Sequence, residues 1–230
     1  MNGASDKFEK YLREKDVASV SGSGIVHVGE ATVKIAGSGK YIAGELLKAA
    51  GSVKVEGSLK LRIVKISGAF KVEGDLECEE LKLSGAGVIN GECKCKEIKI
   101  AGAFKTRKLL TDILKIGGAI KTPVLEGGDV HIILNGNSEI DRLKAKYLEV
   151  KREEPTFRVM FWDVGLKRKD YYLISESIEI NKGNLEAVKC KRVRGDEITI
   201  GRFCEIDVVE YTISAKLLEG AKVGRLSKIG

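Results

Sequence analysis

Residues 64–80, VKISGAFKVEGDLECEE, form a unit whose first five residues return as LKLSG at 81–85 and as IKIAG at 98–102. The starts of these three copies, at 64, 81 and 98, are evenly spaced along the chain. Further copies with the same apolar–Lys–apolar–small–Gly start are VKIAG at 33–37, LKAAG at 47–51 and LKIGG at 114–118. They are flanked by a degenerate copy, ASVSG at 18–22, and by a start that lacks the glycine, Val130-His131-Ile132. A fixed short period is typical of a solenoid, in which each unit packs against its neighbours.

Each unit holds three segments in which apolar and polar residues alternate, and alternation at two-residue spacing predicts strands rather than helices. A second glycine recurs at positions 44, 57, 74 and 91. Recurring glycine marks a corner, where the chain needs a positive φ or has no room for a Cβ atom. Three strands and three corners predict an all-β fold, a triangular parallel β-helix whose strands stack about 4.8 Å apart.

Gly37-Ser38-Gly39-Lys40 resembles the end of a phosphate-binding loop, but the spacing excludes one. Such a loop needs an earlier glycine at a fixed distance and a Ser or Thr directly after the lysine. Lys34 stands in place of that glycine, and Tyr41 stands in place of the hydroxyl residue. The stretch is instead explained as a corner of the repeat followed by a recurring lysine, so no nucleotide site is predicted.

The strength of the repeat divides the chain into four parts. These are a polar N-terminal tail (1–17), regular β-helix repeats (18–150), an irregular insert (151–177) and less regular C-terminal coils (178–230). In the insert, Phe157, Met160, Phe161 and Val164 follow helical spacing, which predicts a short helix near 156–165. Three interpretations of the insert remain open: aromatic packing on the solenoid, a membrane-surface patch, and a partner or filament contact.

Composition favours a narrow core and a cytoplasmic protein. Apolar residues make up 43% of the chain and aromatic residues 6%, which suits an interior of Val, Ile, Leu and Cys. No apolar run is long enough to span a membrane, and MNGASDKFEKYLREKD lacks the apolar region of a signal peptide. Five cysteines without a secretion signal predict a reducing cytoplasm, with membrane association as the alternative.

The cysteines are predicted to be free and buried, as small hydrophobic side chains. Cys93 and Cys95 lie one repeat after Leu76 and Cys78, in core columns otherwise held by leucine. Cys190 and Cys204 are also interpreted as core residues. A Cys-x-Cys pair with a third cysteine one coil away is a potential metal set, but His27 and His131 are isolated and add no fourth ligand. No metal or cofactor is therefore predicted.

The second residue of each repeat start points outward because its neighbours point inward. It is lysine in the six regular copies, so the sequence predicts a stacked lysine column formed by Lys34, Lys48, Lys65, Lys82, Lys99 and Lys115. The acidic residues expected to offset part of the repulsion are Glu56, Glu73, Glu79, Glu80 and Glu97. At a net charge of +7, the column is either a solvated face or a face for an anionic partner, such as lipid head groups, nucleic acid or a second filament. Specific nucleic-acid binding is disfavoured, because acids are mixed in and no aromatic residues interleave the column.

The sequence contains no recognisable nucleophile–base pair, and we predict no catalytic residue and no small-molecule substrate. Ser67 and Ser84 are replaced by Ala36 and Ala101 at the same repeat position, which is incompatible with a catalytic serine. A hexapeptide-type acyltransferase, which also uses a triangular β-helix, is a remote alternative. It would need His131 as its catalytic residue, and its hexapeptide period is absent from this chain.

The repeated apolar–Lys–apolar–Ser/Ala–Gly units between residues 33 and about 120 resemble bactofilins, the polymer-forming cytoskeletal proteins. RGDEITIGRFCEIDVVEY at 194–211 resembles the C-terminal part of their longer, cytosolic members. The resemblance implies a right-handed β-helix that assembles end to end into filaments without a nucleotide. Many members also carry a short apolar membrane-targeting stretch at the N-terminus, where this chain is polar.

A solenoid has two open ends, each with unpaired backbone groups over a sliced core. We therefore expect self-assembly into a homopolymer, a non-enzymatic cytoskeletal or scaffold function. The candidate end contacts are Val20, Ile25, Val26, Val28, Ile213, Leu217, Leu218, Val223 and Leu226. The alternative is a monomeric or dimeric scaffold that binds an anionic partner, a lipid surface or nucleic acid, through its lysine column.

Overall fold

The structure is a computed structural model that describes residues 17–42, 45–153 and 170–230. Within these ranges the chain forms thirteen strands and no helix. The strands are β1 (Val17–Val28), β2 (Ala31–Ile42), β3 (Leu46–Glu56), β4 (Leu59–Lys60), β5 (Ile63–Val72), β6 (Leu76–Ile89), β7 (Glu92–Lys105), β8 (Lys108–Leu134), β9 (Ser138–Arg152), β10 (Leu173–Leu185), β11 (Val188–Ile200), β12 (Glu205–Leu217) and β13 (Lys222–Lys228). The predicted helix near 156–165 and nearly all of the predicted tail lie outside the described residues.

Parallel backbone pairing stacks successive coils from β3 to β13. From β3 to β7 each partner lies 17 positions further along the chain, as in Val64 with Leu81 and Leu81 with Ile98. Later coils advance by 15 to 18 positions where no segment is inserted. The predicted all-β solenoid with parallel coils of about 17 residues is therefore confirmed.

Buried residues point inward as three pairs in each coil, one pair on each side of a triangular cross-section. In one coil they are Leu76 and Cys78, Leu81 and Leu83, and Gly87 and Ile89. In the next they are Cys93 and Cys95, Ile98 and Ile100, and Phe104 and Thr106. Gly87 lies between Phe70 and Phe104 in its column. A Cβ atom on Gly87 would meet the side chains of Leu83 and Phe104, so glycine leaves the space that their close packing requires.

The glycine of the repeat start forms a ladder of sharp corners. Gly51, Gly68, Gly85, Gly102 and Gly118 pair in order from coil to coil, and each has a φ between +121° and +146°. A Cβ atom on Gly102 would overlap the carbonyl oxygen of Gly85. Both predicted reasons for glycine therefore operate here, because the backbone is left-handed and the coil below leaves no room for a side chain.

The first three strands differ from the predicted parallel repeat. β1 pairs antiparallel with β2, and β2 pairs antiparallel with β3, so that Gly37 lies beside Gly51. Gly29 and Glu30 form the short connection between β1 and β2, and connections of two residues favour hairpins. The starts at 33 and 47 are closer together than the later starts, which reflects this reversal. The regular parallel coils therefore begin at Leu46 rather than at residue 18.

The ladder continues across the segment predicted to be an insert. β9 extends to Arg152 and β10 begins at Leu173, so both strands reach into the predicted insert, 151–177. Ser138 pairs with Leu173, and Val150 pairs with Leu185. The coils before and after the segment thus stack directly on each other. The predicted C-terminal coils are present as β10 to β13, and no helix in the described ranges is long and apolar enough to cross a membrane.

We expect Gly102→Ala to lower the free energy of unfolding by about 1–3 kcal/mol, because the methyl group meets a backbone carbonyl at a left-handed corner. Gly117→Ala is the matched control, since a Cβ atom there meets nothing within 4 Å. Its φ lies outside the left-handed region, so it should be neutral or stabilising by about 0.4–1 kcal/mol. Guanidinium denaturation measures both variants. Equal destabilisation by the two would contradict the corner assignment.

Candidate functional site

The C-terminal end of the solenoid exposes side chains that would be core residues in any other coil. β13 ends the sheet on this side and pairs with β12 alone among the described strands. Leu226 is 42% exposed, whereas Val209, its partner one coil earlier, is fully buried. Likewise, Leu217 is 44% exposed and its partner Ile200 is buried. The inward row of the fold therefore reaches the surface at this end.

Further apolar residues extend the same surface, which we name the C-terminal end face: Ile213, Leu217, Leu218, Val223 and Leu226. Ile213 is 63% exposed and Leu218 is 41% exposed, while Val223 is half-buried against the core. All five residues that the sequence assigned to this end lie in β12, in β13 or in the turn between them. Contiguous exposed apolar surface is typical of a contact site, because single apolar side chains are common on surfaces and clusters are not.

The N-terminal end of the solenoid exposes fewer apolar side chains than the C-terminal end. Of the four residues predicted to be contacts there, Val20 and Val26 are buried, Val28 is half-buried, and only Ile25 is among the exposed large hydrophobic residues. β1 ends the sheet on this side, so its outer backbone groups have no strand partner among the described residues. Because two reversals separate β1 from β3, β1 runs in the same direction as the coils. Within the described ranges, the outer edge of β1 therefore exposes mainly unpaired backbone groups and few apolar side chains.

The predicted lysine column is present, except that Lys40 takes the place of Lys34. Lys48, Lys65, Lys82, Lys99 and Lys115 pair in order from coil to coil, as predicted. Lys34 does not join them, because the antiparallel β2 places it beside Lys54. The same reversal places Lys40 beside Lys48 at the end of the column. The observed column is therefore Lys40, Lys48, Lys65, Lys82, Lys99 and Lys115.

Glutamates offset only the middle of this column. Glu80 bonds Lys82 and lies 3.5 Å from Lys65, and Glu97 pairs with Lys99. The hydrogen bond from Lys82 lowers the pKa of Glu80 and, in return, raises the pKa of Lys82. Within the described part of the chain, no carboxylate oxygen lies within 4.0 Å of the ammonium groups of Lys40, Lys48 and Lys115. The column therefore keeps uncompensated charge at both ends.

A second row of lysines is neutralised more completely. Lys34, Glu56, Lys54, Glu73 and Lys71 form a continuous alternating chain of ion pairs. The N–O distances are 2.7 Å from Lys34 to Glu56, 3.2 Å from Lys54 to Glu56 and 2.9 Å from Lys71 to Glu73. These pairs lower the pKa of Glu56 and Glu73. Glu79, also predicted to offset the column, pairs with Lys96 on another side instead, at 2.9 Å.

Two cysteines differ from the sequence prediction. Cys78 and Cys95 are joined by a disulfide, because coil stacking places them at the same ladder position with their Cα atoms 4.6 Å apart. The prediction of free thiols is therefore wrong for this pair. Cys93, Cys190 and Cys204 are free and buried, as predicted. The signal was a sequence separation equal to one repeat, since two cysteines one coil apart must face each other.

His131 lies near the lysine column and has a carboxylate partner. Its Nδ1 is 3.1 Å from Oε2 of Glu149, and its ring centroid is 5.5 Å from that of Tyr147. Lys151 also bonds Glu149, at 2.6 Å. These contacts make His131 part of a surface ion-pair cluster. Among the residues that the structure describes, no group of three His, Cys, Asp or Glu side chains is arranged to hold a metal ion.

Comparison of the chain with protein-family models, with curated proteins and with solved structures gave no match. The resemblance to bactofilins therefore rests on the repeat units and on residues 194–211 alone.

Replacing Glu80 with Gln should destabilise the fold at neutral pH, because Lys65 and Lys82 then repel each other without an anion between them. The pKa of Glu80 in the folded chain lies below its usual 4.5, so the carboxylate stabilises the fold above that pH. This contribution is lost as the pH falls through the lowered pKa. We expect the difference in melting temperature between wild type and variant to vanish at acid pH and to shrink in high salt.

Glu77→Gln is the control, since among the described residues Glu77 pairs with a single lysine, Lys60, at 3.0 Å and at an exposed site. A loss as large as that of Glu80→Gln, or a loss independent of pH, would contradict the proposed role of Glu80.

Proposed function

We propose that this chain is a non-enzymatic scaffold protein that self-assembles end to end into filaments without a nucleotide. The observation that carries the proposal is the C-terminal end face, where residues of the inward rows lie at the surface. Proteins that remain monomeric solenoids cover such ends with polar or helical caps. Here the last described strand leaves both its backbone edge and the core open.

Burial of this face would remove a row of large aliphatic side chains from water, and apolar burial stabilises contacts by about 25 cal/mol per Å². Strand addition would also pair the outer backbone groups of β13, as in β-augmentation. Since β1 runs in the direction of the coils, a joint between opposite ends would continue a parallel ladder. A joint between like ends would form an antiparallel one. Both joints leave the side walls of the solenoid exposed, as a filament surface requires.

The proposal includes no nucleotide, because the stretch that resembles a phosphate-binding loop is explained by the repeat. Gly37, in the stretch that resembles a phosphate loop, lies at a corner packed against the backbone of Ala50, whose carbonyl oxygen a Cβ atom at Gly37 would overlap. That glycine therefore serves the packing of strands. The proposed contacts consist of apolar side chains and backbone hydrogen bonds, so we expect assembly to depend on protein concentration and to need no nucleotide.

A second candidate function, binding of an anionic surface, is favoured by the uncompensated ends of the lysine column. Lys115 also borders a groove of about 560 Å³ with Lys82, Lys99 and His131. Gly117 lies in the same groove and leaves open space beside Lys115. Positive charge beside a concave surface attracts anionic groups such as lipid head groups.

For the filament proposal, we expect Leu226→Glu and Leu218→Glu to abolish assembly without unfolding, because each places a charge on the C-terminal end face. Sedimentation velocity and negative-stain electron microscopy at two protein concentrations, without nucleotide, measure the assembly. Circular dichroism confirms the fold.

Ile174→Glu is the matched control for these variants. Ile174 is 46% exposed but has strand neighbours on both sides, so it lies on the side wall. Wild-type protein that stays monomeric at both concentrations, or filaments that persist in both end variants, would refute the proposal.

For the second candidate, we expect the double variant Lys48→Gln/Lys115→Gln to reduce binding to vesicles that contain acidic phospholipids by at least severalfold. Binding of the wild type should also fall as salt rises. Lys34→Gln/Lys54→Gln removes the same charge from the neutralised row and is the control. Equal losses in both double variants, or equal wild-type binding to neutral vesicles, would rule out a specific role for the column.

A further inference from the structure

The Cys78–Cys95 disulfide lies in the wall of a groove of about 850 Å³ on a side of the solenoid away from the lysine column. Five cationic and five acidic side chains border this groove, so its charge is balanced. Cys78 retains 8% of its surface exposed, whereas Cys95 retains 2%. Both residues border the groove and Cys78 is the more exposed of the two, so we expect attack at Cys78.

We propose that this pair is a thiol-exchange site, at which low-molecular-weight thiols reduce the disulfide and the corresponding disulfides form it again. The attacking thiolate bonds Sγ of Cys78, the Cys78–Cys95 bond breaks, and its electron pair leaves on Sγ of Cys95, which takes up a proton. A second thiol attacks the sulfur of the bound small thiol and releases Cys78 as a thiolate, which is then protonated. In total, two small thiols are oxidised to one disulfide while the protein gains two thiols.

The ladder makes this exchange reversible without unfolding. Leu76 pairs with Cys93, Glu77 with Lys94 and Cys78 with Cys95, and this parallel pairing does not depend on the sulfur atoms. The Cα separation of 4.6 Å is close to the ordinary spacing of neighbouring strands, about 4.8 Å. Backbone stacking alone therefore holds the two reduced cysteines at bonding distance.

The three remaining cysteines do not compete with this pair. Burial raises the pKa of Cys93 far above its ordinary value and raises the pKa of Cys190 and Cys204 to about 11. Their thiolates are scarce at neutral pH, and only thiolates exchange. Neither Cys78 nor Cys95 belongs to the end face or to the lysine column, so the exchange does not depend on the proposed assembly.

The test is thiol counting on the folded full-length chain, with reduced and oxidised glutathione as the probes. Oxidised protein should show no rapidly alkylated thiol when folded and three when denatured. Reduced glutathione should release two thiols in the folded state, assigned to Cys78 and Cys95 by peptide mass spectrometry, with unchanged circular dichroism. Oxidised glutathione should remove them again.

Single variants test which sulfur is attacked. We expect the lone Cys78 in Cys95→Ala to react with oxidised glutathione several times faster than the lone Cys95 in Cys78→Ala. Cys93→Ala, two positions away at a fully buried residue that does not border the groove, should exchange as the wild type does. The proposal is overturned if the two thiols are released only in denaturant, or if five thiols persist after oxidised glutathione. It is also overturned if the two lone cysteines react equally fast.

Discussion

The structure depends on one constraint, the constant register of backbone hydrogen bonds between stacked coils. A coil pairs with its neighbours only if each corner lies directly above the one below. The glycine ladder from Gly51 to Gly118 meets this condition because those corners admit no side chain. Where the ladder is strict, the register from coil to coil is nearly constant. Beyond Gly118 the advance per coil varies more, so the corner sets the regularity of the whole core.

The sequence was sufficient to predict the solenoid, its inward columns and its corner glycines, because alternation and period report side-chain direction residue by residue. It was insufficient for strand direction. The pattern of VKIAG at 33–37 fits a strand that runs parallel or antiparallel to its neighbour. In the antiparallel pairing that forms, Gly37 still lies beside Gly51. The short interval between the starts at 33 and 47 was the only trace of the reversal. Alternation at two-residue spacing shows which side chains are buried, but the direction of a strand depends on the turns that join it to its neighbours.

The sequence likewise predicted some parts of the candidate sites and not others. The C-terminal end face was predictable because apolar alternation continues through Val223 and Leu226. At the other end the same reasoning failed for Val20 and Val26, which the structure buries. In the lysine column, Lys34 and Lys40 exchanged places through the reversal of β2. The Cys78–Cys95 bond was missed because two cysteines one coil apart in a buried column can be either free thiols or a disulfide. The sequence pattern is the same in both cases.

The antiparallel start of the sheet has a kinetic consequence. Strands β1, β2 and β3 pair through short connections, so their contacts join residues close together in the chain, and hairpins of this kind form within microseconds. Parallel coils have no such local turn, and each needs an existing edge on which to align. The opening hairpins can therefore serve as a template formed first, on which later coils add one at a time in the order of synthesis. The reversal thus provides local contacts from which the parallel ladder can extend.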